Sequence, residues 1–75
     1  MVEVFRTDVT SEERASELLA VIHDRLQGYR ANFDLEDCDN ILRVESKYGD
    51  VQSSDVIDLL RRHACRAEVL PEDVF

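Results

Sequence analysis

The chain has 75 residues, of which 44% are hydrophobic and 35% charged, and nine Lys and Arg against 17 Asp and Glu give a net charge of −8. This length and composition predict one folded domain over residues 1–75, because the chain is too short for a second core. The negative charge disfavours nucleic acid and anionic membranes as partners, since both present negative surfaces.

The compartment is predicted from segments that the sequence lacks. No apolar run approaches the roughly 18 residues of a membrane-spanning helix, and residues 1–5 lack the basic and apolar regions of a signal peptide. A cytoplasmic protein is therefore expected, in which Cys38 and Cys65 stay reduced.

The first half of the chain predicts a strand, a helix and a second strand. Residues 2–7 are rich in strand-favouring side chains and alternate partly, with Phe5 placed on the outer face. Thr10 and Glu13 have the spacing of a capping box that starts a helix, and Gly28 is typical of its end. The helix carries one apolar stripe, formed by Ala15, Leu18, Leu19, Ile22 and Leu26. Residues 30–36 then alternate cleanly, with Ala31, Phe33 and Leu35 on one face.

The second half predicts the same order of strand, helix and strand. Residues 37–40 carry turn chemistry, and residues 41–45 resume the alternation with Leu42 and Val44 inward, which predicts an antiparallel hairpin. Ser53 is the predicted cap of a second helix. Its apolar positions are Val56, Ile57, Leu60 and Ala64. A last strand over residues 66–70 stops at Pro71.

Two βαβ units in this order predict an α+β ferredoxin-like βαββαβ sandwich, with a four-stranded antiparallel sheet and two helices on one face. The segments at residues 33–36 (Phe-Asp-Leu-Glu) and 66–70 (Arg-Ala-Glu-Val-Leu) are similar to strands of heavy-metal-associated domains, the copper chaperone-like family. The likeness covers nearly the whole chain. It implies the ferredoxin-like fold.

The resemblance also implies a metal loop, and that loop lacks its ligands here. The family carries Cys-x-x-Cys where the first helix begins, whereas Ser11 and Arg14 stand at the matching positions. Neither side chain replaces a thiolate, and a guanidinium repels a cation. The chain is thus expected to lack thiolate-pair metal transfer. An unconventional metal site using Cys65 and His63 stays open as the alternative function, although helix-dipole compensation and strand packing also explain these two residues.

Other chemistries find little support. The acids at positions 34, 36, 37 and 39 lack the spacing of a calcium loop and read as a solvated surface. No nucleophile and base are grouped for catalysis, so neither an enzyme nor a bound cofactor is predicted. RNA-recognition domains of this fold stack bases on aromatic residues of the open sheet face, where only Phe5 is available.

The remaining hypothesis is a small, acidic, non-catalytic protein-interaction or regulatory module. Its partner would be another protein or a second copy of the chain. The alternation places six residues on the face away from the helices: Glu3, Phe5, Ile41, Arg43, Glu68 and Leu70. Within this set, Phe5, Ile41, Arg43 and Leu70 are the predicted contact residues. The strands that begin near Arg30 and Arg66 offer a second route, because a partner strand could extend an open edge.

Overall fold

The computed structural model describes residues 1–36 and 39–70 and contains six elements in the predicted order. These are β1 (Val2–Thr7), α1 (Glu12–Arg25), β2 (Tyr29–Asp34), β3 (Ile41–Ser46), α2 (Ser53–Arg62) and β4 (Ala67–Val69). The predicted turn residues Asp37 and Cys38 and the predicted stop at Pro71 lie outside the described residues.

The four strands form one antiparallel sheet in the order β2-β3-β1-β4, which confirms the ferredoxin-like βαββαβ fold. The central strands are β1 and β3, so β2 and β4 are the edges, as the sequence predicts. This order follows from the two βαβ crossovers, each of which leaves room for a strand of the other unit.

The hydrophobic core lies between the two helices and one face of the sheet. Helix α1 contributes Ala15, Leu18 and Ile22, all buried, because the helical repeat places them on one side. Helix α2 contributes Val56, Leu59 and Leu60 in the same way. The strands supply Phe5, Ala31, Leu42 and Val44 to this core.

Both helix starts differ from the prediction by one residue. Ser11, not Thr10, is the N-cap of α1, and its Oγ accepts the Arg14 backbone N–H at 3.1 Å. Thr10 and Ser11 both carry a hydroxyl that can accept a backbone N–H, so the sequence alone does not show which of them is the N-cap. At α2 the N-cap is Gln52, which makes no side-chain capping bond, and Ser53 is already the first helical residue.

Helix α2 ends earlier than its apolar pattern predicts, so Ala64 is not part of the helical stripe. The Cys65 N–H donates to the Leu60 carbonyl at 2.9 Å, and the Ala64 N–H donates to the Arg61 carbonyl at 3.1 Å. This pair of bonds is a Schellman motif, which places Ala64 in the left-handed region at φ 59°. After the end of α1, Gly28 has φ 87°, which is the positive φ that the sequence predicts for this glycine.

Candidate functional site

The start of α1, where Ser11 and Arg14 lie, is tied to the end of α2 by Arg14. The Arg14 guanidinium donates to the backbone carbonyl of His63, the C-cap residue of α2, and lies 3.6 Å from the Glu17 carboxylate. Unpaired carbonyls at a helix end carry partial negative charge, which a guanidinium stabilises. Ser11 and Arg14 therefore cap helices here: Ser11 starts α1 and Arg14 closes α2.

Cys65 is a free cysteine next to this clamp, and its side chain is buried. The pKa of the Cys65 thiol is raised from 9.0 to about 11, first by burial and then by the charge and hydrogen bond of Asp8, while Arg14 acts in the opposite direction. The Asp8 carboxylate also accepts the Arg66 backbone N–H at 3.1 Å. At neutral pH the thiol is protonated, whereas a metal ligand must be a thiolate.

The alternative metal pair is close in sequence but differs in environment. Cys65 is buried, and His63 is exposed. Across residues 1–36 and 39–70, no three His, Cys, Asp or Glu side chains converge in the way that holding a metal ion requires.

The open face of the sheet does not include Phe5, and the prediction that Phe5 points outward is wrong. Phe5 is fully buried and lies opposite Leu42 of β3. Residues on one face alternate along a strand, so Val4 takes the outward position and Thr7 joins the core side. There the Thr7 hydroxyl donates to the Asn40 carbonyl at 2.7 Å and accepts the Val9 N–H at 3.2 Å. These bonds hold β1 in the register that buries Phe5.

Glu3 shares the inward side of β1 with Phe5, which also contradicts its predicted outward position. The Ser53 hydroxyl donates to the Glu3 carboxylate at 3.4 Å, at the start of α2. The Glu3 carboxylate thus accepts a hydrogen bond at the border of the core. It lies near the N-terminus of α2, where negative charge is stabilising.

The other predicted face residues do lie on the open face. The register pairs Arg43 with Val4 and Asn32, and pairs Ile41 with Arg6 and Asp34. Glu68 is also on this face, because it pairs with Arg6.

The apolar part of this face is smaller than expected. Ile41 is only 6% exposed. The Arg43 guanidinium lies 3.7 Å from the Asp34 carboxylate. Leu70 is half-buried, and its N–H donates to the Val4 carbonyl at 2.8 Å. With Phe5 inside, β1 and β3 present no aromatic side chain on this face.

A groove that the sequence analysis missed runs between α1 and the outer edge of β2. Its volume is about 660 Å³. The apolar floor comes from both elements: Ala15, Leu19, Phe33 and Leu35. The polar residues around it are Glu12, Ser16, Asn32, Asp34, Glu36 and Arg43. The groove therefore wraps the edge of β2 and includes side chains from both faces of the sheet.

The outer edge of β2 is closed at the beginning of the strand, meaning that the outward backbone N–H groups there have hydrogen-bond acceptors. Beside the groove the edge is open. The Tyr29 N–H donates to the Leu26 carbonyl at 3.2 Å, and the Ala31 N–H donates to Nε2 of His23 at 3.1 Å. Both amides therefore point away from β3. In an antiparallel strand every second residue points its backbone groups the same way, so those of Phe33 also face outward.

Among residues 1–36 and 39–70, no hydrogen-bonding partner meets the outward backbone groups of Phe33 at this position. After the strand the Asp34 carboxylate accepts the Glu36 N–H at 3.2 Å in the turn that follows. The open part of the edge is thus a short stretch centred on Phe33, between the Ala31 amide covered by His23 and the end of the strand at Asp34.

Comparison of the chain with protein-family models, with curated proteins and with solved structures gave no match. The resemblance to heavy-metal-associated domains stays a prediction. In the described part of the chain, neither helix has the length and apolar character that crossing a bilayer requires.

Proposed function

We propose that this chain is a non-catalytic protein-interaction module whose binding element is the open edge of β2. The observation that supports the proposal is the coincidence of outward backbone groups at Phe33 with the groove between α1 and β2. An extended partner segment would add there as a further strand, because edge amides and carbonyls supply hydrogen bonds and the groove accepts alternate side chains.

The pattern of edge protection supports this choice of edge. Exposed strand edges promote aggregation, and proteins commonly shorten, charge or cover them. The other edge strand, β4, has three residues. Strand β2 has six, and His23 and Leu26 occupy two of its outward amides. The position left open is the one that borders an apolar groove, as a binding site requires.

The open sheet face is the weaker candidate surface. Its expected aromatic anchor, Phe5, is in the core, and Ile41 has little accessible area. Arg43 belongs to both surfaces, since it also lines the groove. Interface anchors are commonly large apolar or aromatic side chains in pockets, and the groove offers Phe33 and Leu35 in that setting.

The chemistry around Cys65 favours interaction over metal transfer. A buried thiol with its pKa raised to about 11 stays protonated at neutral pH, so it competes poorly for soft metals. The cytoplasmic location predicted from the sequence and the absence of catalysis form part of this proposal.

Site-specific photo-crosslinking in the cells that produce the protein tests the proposal. A photoreactive residue replaces Asn32 or Ser16, which border the groove, and replaces Asp55 on α2 as the matched control. We expect a discrete crosslinked protein, or a crosslinked second copy, at the two groove positions and none at position 55. Crosslinks of equal yield at all three positions, or none at any, would contradict a binding edge at β2.

A further inference from the structure

The edge of β2 divides the groove into two sides of different chemistry. On the helix side lie Leu19, Phe33 and Leu35, and on the open-face side lie Asn32 and Asp34. Successive side chains of a strand point to opposite faces. A strand added to this edge therefore presents every second residue to the apolar side and the residues between them to the polar side.

Acidic groups dominate the charge around the groove. Glu12, Asp34 and Glu36 border it, and the only basic lining residue in the described part of the chain is Arg43, which is 3.7 Å from Asp34. The whole chain carries a net charge of −8. A field of this sign attracts cationic segments during encounter and disfavours anionic ones.

The geometry points to a basic, extended peptide segment as the occupant of this groove, with apolar residues alternating with Lys or Arg. This inference rests on the proposed function and names the chemistry of the partner. The apolar residues pack on Leu19 and Phe33, and the basic residues face Asp34, with Glu36 and Glu12 also bordering the groove. His23 covers the edge before Phe33, and the strand ends at Asp34, so a short segment centred opposite Phe33 is sufficient.

A second copy of the chain fits this edge less well. Pairing β2 with β2 of another copy would bring two acidic borders together, and each copy carries a charge of −8. Like charges brought together across an interface oppose association. A basic partner removes this repulsion.

The test is a titration of the full-length, ¹⁵N-labelled protein with a capped synthetic peptide in which Lys and Val alternate over seven residues. Two matched peptides serve as controls: one has Glu in place of Lys, and the other is N-methylated at alternate residues so that it cannot extend a sheet. Amide shifts identify the site, and calorimetry gives the affinity.

Protein variants separate a specific site from general attraction to an acidic protein. The double variant Asp34→Asn, Glu36→Gln changes the groove, and Asp50→Asn, Asp55→Asn changes the net charge equally at exposed positions that do not line it. We expect the groove variant to bind the Lys-Val peptide about five-fold more weakly and the control variant to change by less than about two-fold.

The inference is supported if the Lys-Val peptide shifts the Phe33 amide saturably and both control peptides fail. Binding of the Glu-Val peptide at Phe33, or dimerisation of the protein through β2, would overturn the basic partner and leave the interaction function standing. Equal weakening in both variants, with no localised shifts, would also overturn it. If no peptide binds and the protein stays monomeric, the inference of a basic partner is overturned. The crosslinking experiment then decides whether the proposed function fails as well.

Discussion

Arg14 in the first turns of α1 donates a hydrogen bond to the backbone carbonyl of His63, 49 residues later at the end of α2. The contact joins the loop after β1 to the loop before β4. Arg14 therefore forms a clamp between the start of α1 and the end of α2.

Replacing Arg14 with Gln should lower the free energy of unfolding by about 1–2 kcal/mol, because a charge-assisted hydrogen bond at a helix end is lost. The control is Arg25→Gln, which removes the same charge from an exposed side chain whose ion pair, among residues 1–36 and 39–70, is with its neighbour Asp24 at 3.6 Å. Urea denaturation measures both variants. Equal losses would show that Arg14 acts through net charge alone.

Ala64→Gly should stabilise the protein by about 0.5–1 kcal/mol. Ala64 is exposed and has φ 59°, a left-handed conformation that costs an L-residue energy and that glycine adopts freely. Ala20→Gly in the exposed middle of α1 is the control and should destabilise by about 1 kcal/mol. Thermal unfolding should move the two variants in opposite directions, and a loss of stability in both would contradict the Schellman geometry.

Phe5→Ala should cost about 3–5 kcal/mol, since it leaves a cavity under Leu42 in the core. Val4→Ala on the open face should cost no more than about 1 kcal/mol, because its side chain is only partly buried. Denaturant unfolding of the two variants reports which residue of this adjacent pair faces the helices. The reverse order of stabilities would mean that β1 is turned over.

His23→Ala should make the Ala31 amide exchange with solvent about five-fold faster, because the amide loses its acceptor on the open side of β2. His63→Ala is the matched control at an exposed position and should leave that amide unchanged. Hydrogen exchange followed by NMR at one pH measures both. An unchanged Ala31 rate in the first variant would indicate that the imidazole does not close the edge.

Cys65 should make the protein less stable as the pH rises from about 9 to about 11. Its pKa is 9.0 in the unfolded chain and about 11 in the fold, so the unfolded state loses its proton first and is favoured across this interval. Below pH 9 both states are protonated and the contribution is constant. The measurement is the difference in unfolding free energy between the wild type and Cys65→Ala, which cancels other alkaline titrations; a flat difference would contradict the raised pKa.

The second strand shows what a sequence pattern is able to determine. Residues 30–36 alternate without exception, so the inward face of Ala31, Phe33 and Leu35 follows from the period of two in any sheet. The order of elements follows as well, because helical and strand periods differ and the cap and turn residues separate them. Each of these signals depends on residues that are close together in the chain, so it can be recognised in the sequence.

The first strand and the groove required the tertiary structure. Residues 2–7 place apolar side chains on both faces, and only the pairing of Phe5 with Leu42, held by the Thr7 bonds, decides which face is buried. The groove joins α1 to the outer edge of β2, and the open position at Phe33 depends on His23 covering the amide beside it. The sequence by itself determined the elements, their order and the acidic charge, since each follows from neighbouring residues. Which surface is free to bind was decided by contacts between residues distant along the chain, because a strand has no edge until its neighbours are in place.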